Sequence, residues 1–125
     1  MAVRCLIVDD SSRFLEAARA FLEREGIAVV GVASTSAEAL RRAEELKPDV
    51  ALLDVDLGDE SGFDLARRLE SETSMEPLRV ILISTYAEED FADLITATPA
   101  AGFLCKSNLS ARAIRDLLGN TGDDS

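Results

Sequence analysis

Residues 49–65 read DVALLDVDLGDESGFDL, and the fold turns on how this stretch divides. Val50, Ala51, Leu52 and Leu53 are apolar without a break, then one aspartate arrives at Asp54 and another at Asp56. A run that is apolar at every position, rather than every second one, suits a strand covered on both faces, as in a parallel sheet. After it, Gly58, Ser61 and Gly62 form a polar turn, and Leu65, Ala66 and Leu69 fall at helical spacing. The unit is strand, loop, helix, with two carboxylates where the strand ends. Each carboxylate has three readings here: nucleophile, metal ligand, or loop residue beside a helix cap.

The same unit recurs on both sides. VRCLIVDD (3–10) is an apolar strand, followed by Phe14, Leu15, Ala18, Phe21 and Leu22 at helical spacing and a stop at Gly26. IAVVGVA (27–33) is a second strand, followed by a helix that opens with Thr35 and Glu38 as a capping box and ends before Pro48. RVILIS (79–84) is the fourth strand, and Phe91, Leu94 and Ile95 mark a helix limited by Pro99. GFLCK (102–106) is a short fifth strand, and Ala111, Ile114, Leu117 and Leu118 mark a last helix ended by Gly119. Five such units predict an α/β fold, a five-stranded doubly wound parallel sheet with right-handed crossovers. The flavodoxin-like order 2-1-3-4-5 is the default for five units. One domain is expected over residues 1–119, with 120–125 a polar tail or the start of a linker.

Composition narrows the functions. Of 125 residues 47% are hydrophobic, with five Phe, one Tyr and no Trp, so the core is aliphatic. The formal net charge of −11 suits neither nucleic acid nor an anionic membrane, which call for clustered Lys and Arg. It would attract divalent cations and basic protein surfaces. The start MAVRCLIVDD is too short an apolar run for a signal peptide or a membrane span. Cys5 and Cys105 fall in predicted strands and read as reduced, small apolar residues of a cytoplasmic protein. With no His and no CxxC, a zinc site has little support.

In a sheet of this kind the site lies outside the carboxyl ends of the strands. The first strand ends in Asp9 and Asp10, the third in Asp54, the fourth in Ser84 and the fifth in Lys106, while the second ends without charge at Ala33 and Ser34. Three carboxylates and one ammonium leave this crevice about two charges negative, an arrangement that raises carboxylate pKa values unless a cation enters. Mg²⁺ suits one or two carboxylates with water and a phosphate. An aspartate beside Mg²⁺ and a lysine is equipped for phosphoryl transfer, the carboxylate attacking in line. Taken singly, Asp9 and Asp10 read as helix caps, Asp54 as a loop solubiliser and Lys106 as a solvated lysine. Their meeting at one sheet edge is the signal.

IVDDS (7–11), LLDVDLGDESGFDL (52–65), ILIST (81–85) and GFLCK (102–106) together resemble the receiver (CheY-like) domain of two-component response regulators, over nearly the whole chain. The resemblance implies that Asp54 accepts a phosphoryl group from a histidine kinase. It implies that Asp9, Asp10 and Asp54 hold Mg²⁺ with the backbone carbonyl of Asp56, Asp10 directly and Asp9 mainly through water. Lys106 is similar to the lysine that contacts the phosphoryl group, Ser84 to the switch hydroxyl, and Phe103 to the aromatic switch residue, with an ordinary core residue as its plainer reading. It further implies output through the fourth helix, fifth strand and fifth helix, as a homodimer or partner surface. LGDESGFDLARRL looks like transcription-factor receivers, which would meet DNA only through an output domain beyond Ser125; no direct nucleic-acid or membrane contact is expected of this domain.

Two departures from the family pattern stand out. The family usually has a cis proline after the lysine, and here Ser107 stands there. A non-proline cis bond costs roughly 3–4 kcal/mol, so either a trans bond with a rearranged loop or a strained cis bond is expected. Asp56 is also charged at a variable position. With Tyr86 it is expected to flank the mouth and tune hydrolysis of the phosphoaspartate.

Three rivals remain from the residues. DVDLG resembles the DxD motif of haloacid-dehalogenase-type phosphatases, but it follows the third strand, and after Lys106 the only acids are Asp116, Asp123 and Asp124. A flavodoxin-like FMN carrier would need a phosphate loop where DDSSR places two carboxylates. A pseudo-receiver, never phosphorylated and used only for contacts, is weakened by the complete set Asp9, Asp10, Asp54, Ser84 and Lys106.

Overall fold

The computed structural model describes residues 3–58, 60–72, 78–85, 93 and 100–118. Five strands, β1 (Arg4–Val8), β2 (Ala28–Ala33), β3 (Val50–Asp54), β4 (Arg79–Ser84) and β5 (Gly102–Cys105), form one sheet in the order β2-β1-β3-β4-β5. Every neighbouring pair is parallel. A two-residue antiparallel pair, Asp56–Leu57 with Glu60–Ser61, stands apart from it and is not numbered with the strands. The helices are α1 (Ser12–Arg24), α2 (Ser36–Leu46), α3 (Gly62–Glu72) and α4 (Ala111–Leu117), the last being the fifth predicted from sequence. Of the fourth predicted helix only Asp93 is described, as helical; the tail expected at 120–125 lies outside the described residues.

The period-2 geometry of strands sorts the apolar residues into two cores. Leu6 and Val8, Ala51 and Leu53, and Val80 and Leu82 face α2 and α3. Cys5 and Ile7, Val50 and Leu52, and Ile81 and Ile83 face α1 and α4. The central β1, β3 and β4 are buried almost throughout, which is why they read as unbroken apolar runs. The edge strand β2 alternates instead, and β5 is half-buried along its length. Between β1 and β2 the register slips: Cys5 pairs with Val29 and Leu6 with Gly31, leaving Val30 as the extra residue of a bulge.

Helix boundaries follow the caps, with one adjustment. Thr35 Oγ1 accepts from the Glu38 N–H at 3.1 Å, but Glu38 Oε1 returns the bond to the Ser34 N–H at 2.9 Å, one residue before the cap. Lys47 closes α2 with φ of 48° ahead of Pro48. Arg4 donates to the carbonyls of Leu46 and Lys47, each at 2.7 Å, satisfying acceptors that the end of α2 leaves free. Among the described residues, no helix is long and apolar enough to cross a membrane.

Candidate functional site

Because all five strands are parallel, their carboxyl ends share one edge. Val8 pairs with Leu53, so Asp9 and Asp54 emerge side by side from β1 and β3. Asp54 pairs with Ile83, which sets Ser84 one residue beyond it on β4. Asp9 is 0% exposed, Asp54 7% and Ser84 1%, while Asp10 is exposed. Lys106 is not the last residue of β5, as its sequence position implied. It opens a three-residue 3₁₀ turn, Lys106–Asn108, directly after the strand. No described peptide bond is cis, so the Lys106–Ser107 bond is trans, and the 3₁₀ turn runs straight through it.

The lysine nevertheless reaches the crevice. Lys106 Nζ donates to Asp9 Oδ2 at 2.5 Å and to Asp54 Oδ2 at 3.1 Å. It also sits over the ring of Phe14, 4.3 Å from the centroid. Asp9 Oδ1 accepts from the Ser11 N–H at 2.8 Å. The helix cap belongs to Ser11, whose Oγ accepts from the Phe14 N–H at 3.3 Å, so capping is not the role of either aspartate.

Burial pushes the Asp54 carboxyl up to about 6, and the negative charge of Asp9 adds to the shift. The Asp56 N–H, donating to Asp54 Oδ1 at 3.1 Å, and Lys106 both oppose it without overcoming it. Burial also works against the Lys106 ammonium, but its bonds to Asp9 and Asp54 outweigh that and hold its pKa above the usual lysine value. The charge excess read from sequence is thus present: two carboxylates share one cation, and Asp54 carries the deficit.

The loop after Asp54 is shaped by two glycines. Gly58 turns with φ of 77°, and a Cβ there would stand 3.3 Å from Asp10 Oδ2. Its N–H donates to Asp56 Oδ1 at 3.1 Å. At Gly62 a Cβ would overlap the Asp54 carbonyl oxygen and stand 2.8 Å from Val55 Cα, so only glycine lets α3 start against the strand end. Ser61 Oγ accepts from the Phe63 and Asp64 N–H groups, at 3.2 and 3.4 Å, and so caps the start of α3. Glu60 Oε1 accepts from the Ser36 N–H at 2.8 Å, tying the loop to the start of α2.

Carboxylate oxygens from Asp9, Asp10 and Asp54 lie within 4.8 Å of one another. Such a set of hard carboxylate oxygens fits a divalent cation, whose charge would offset the deficit at Asp54. Phe103 is half-buried and packs on the core between the sheet and the α2–α3 layer. Tyr86 lies outside the described residues. Phe14 and Glu60 were not singled out as site residues by sequence, Phe14 because helical spacing reads it as core.

Comparison with known proteins agrees with this geometry. The family described as the response regulator receiver domain matches residues 5–118. The response regulator GacA of Pseudomonas viridiflava is 32% identical over 105 residues, covering 83% of this chain and 48% of that protein. BvgA of Bordetella pertussis, a positive transcription regulator of virulence factors, is 32% identical over 103 residues, covering 82% and 48%. The chain spans about half the length of these curated relatives. The signal receiver domain of the response regulator NarL from Mycobacterium tuberculosis superposes with a TM-score of 0.80 at 31% identity, covering 98% of each chain. With its strand order, its acidic crevice and its match over residues 5–118, the chain belongs to the receiver-domain family of two-component response regulators.

Proposed function

We propose that this receiver takes a phosphoryl group on Asp54 from the phosphohistidine of a sensor kinase and works as a phosphorylation-activated switch. A carboxylate oxygen of Asp54 attacks phosphorus, the P–N bond breaks, and the imidazole leaves with its electron pair and is protonated. Asp9, Asp10 and Asp54, with the Asp56 carbonyl, would hold Mg²⁺, which supplies neutralisation of the phosphoryl oxygens. Lys106 screens the added charge, roughly 1.5–2 negative units. Ser84 moves to the phosphoryl oxygens and Phe103 fills the space behind it, shifting a two-state population. The meeting of Lys106 with Asp9 and Asp54 carries this reading.

The reading includes one phosphoryl group per chain, with no turnover of an external substrate. It includes a cytoplasmic place, consistent with the free cysteines Cys5 and Cys105. It includes output through β5, α4 and the segment between β4 and β5, as a homodimer or toward an output domain that acts on DNA. Mass spectrometry after acetyl phosphate and Mg²⁺ should map one phosphoryl group to Asp54. Full labelling of Asp54→Asn at the same site would refute the assignment. Asp56 and Tyr86 are the tuning positions, and an unchanged dephosphorylation rate in Asp56→Ala and Tyr86→Ala would remove that role.

A further inference from the structure

We infer that Phe14 is the positioning residue for Lys106: its ring face holds the ammonium at the mouth of the Asp9–Asp54 pair. This rests on the reading of Asp54 as phosphoacceptor. The backbone beneath Lys106 restrains it little. The segment is a three-residue 3₁₀ turn closed by a long bond, the Leu109 N–H to the Lys106 carbonyl at 3.3 Å, and Ser107 lacks the φ restraint of a proline. The lysine stem itself carries about 2 kcal/mol of rotamer freedom. Three partners nevertheless converge on Nζ: Asp9 Oδ2 at 2.5 Å, Asp54 Oδ2 at 3.1 Å and the Phe14 ring at 4.3 Å.

The ring does something neither carboxylate can. When Asp54 takes up a phosphoryl group, the oxygen now bonded to Lys106 enters a larger anion, and the ammonium must follow it. Asp9 remains as a buried competitor that draws the ammonium the other way. A third carboxylate would hold the lysine but repel the incoming phosphoryl group. An aromatic face attracts the cation through its quadrupole and adds no net charge to a site already negative. Phe14 is well placed for this: it lies in the first turn of α1, where the Ser11 cap bonds its own N–H, and it packs against the α1–α4 core. The α1 start therefore fixes both the acidic pair and the lysine that faces it.

Phe14→Leu keeps the apolar packing and removes the ring; Phe14→Tyr keeps the ring. The initial rate of labelling by acetyl phosphate at saturating Mg²⁺ should fall roughly five- to tenfold in Phe14→Leu. Phe14→Tyr should stay within about twofold of the parent. The chain has only two lysines, Lys47 and Lys106, so ¹³C-lysine labelling gives a direct view of the contact. The Lys106 Hε signal should lie upfield of exposed Lys47 in the parent and Phe14→Tyr and return toward it in Phe14→Leu. Parent-like labelling of Phe14→Leu, equal slowing of both variants, or an unshifted Lys106 signal in the parent overturns the inference. Absence of any label on parent Asp54 would instead refute the phosphoacceptor reading, and the Lys106 signal would then decide the positioning by itself.

Discussion

Gly62 and the carbonyl of Asp54 are in contact so close that a Cβ at Gly62 would overlap the oxygen and stand 2.9 Å from the Asp54 carbonyl carbon. The start of α3 and the end of β3 are therefore one rigid corner, and the phosphoacceptor candidate sits on it. Backbone cannot yield as a flexible side chain can, so Gly62→Ala must displace α3 or the strand end. A loss of roughly 2–4 kcal/mol in urea unfolding is expected. Gly58→Ala meets the strain of a positive φ and a 3.3 Å approach to Asp10 Oδ2, a side-chain atom that can give way, and should cost about 1–2 kcal/mol. Finding the two losses equal would show that the corner relaxes freely.

Asp54 makes the stability of the fold depend on pH. Its carboxyl titrates at about 6 in the folded chain against an ordinary 3.8. Between those values the folded chain holds a proton that the unfolded chain has released. Stability from this group therefore falls as pH rises from about 4 to 6 and stays low above it. Asp54→Asn removes that loss. Without divalent cations it should match the parent near pH 3.5 and exceed it at pH 7 by on the order of 1–3 kcal/mol. Urea unfolding at both pH values measures this, and equal stability at pH 7 would contradict a strained carboxylate.

Glu60 offers a smaller effect. Its carboxylate takes the Ser36 N–H at the positive end of α2, so it acts as a cap supplied from another loop. Glu60→Ala should cost about 1 kcal/mol, and Glu60→Gln roughly half, because the amide oxygen still accepts. Hydrogen exchange of the Ser36 amide should rise in Glu60→Ala. Unchanged exchange would mean that the contact does not hold the helix start.

The meeting of the candidate site residues was legible because a parallel sheet turns strand ends into neighbours. Asp9, Asp54, Ser84 and Lys106 are far apart in sequence, yet the unbroken apolar runs before them fixed which edge they share. The repeat of five units does not by itself fix the order of the strands; the default order for five such units, 2-1-3-4-5, is the one the sheet adopts. What stayed hidden was side-chain direction. Phe14 obeys the helical spacing of a core residue, and nothing in that spacing shows a cation over its ring. Glu60 looks like one more acid in GDES because its partner lies 24 residues away. Lys106 was read as a strand end, whereas the turn Lys106–Asn108 begins there: with Ser107 in place of proline, the chain is free to coil at once.

Asp10 gives the test of the proposed cation site. It is the exposed member of the three aspartates whose oxygens lie within 4.8 Å of one another, so its removal should disturb folding least. A ligand that binds only the folded chain stabilises it by RT ln(1 + [L]/Kd), about 1.4 kcal/mol at ten times Kd. Mg²⁺ should raise the melting temperature of the parent at pH 7.5 and leave Asp10→Asn almost unmoved. The gain should shrink as pH falls below about 6, because Asp54 then keeps its proton and Mg²⁺ must displace it. The expected order of Mg²⁺-induced gain is thus parent at pH 7.5, parent at pH 5.5, then Asp10→Asn at either pH. A gain in Asp10→Asn equal to the parent's would place the cation elsewhere on this acidic surface. A gain independent of pH would remove Asp54 from its ligand set.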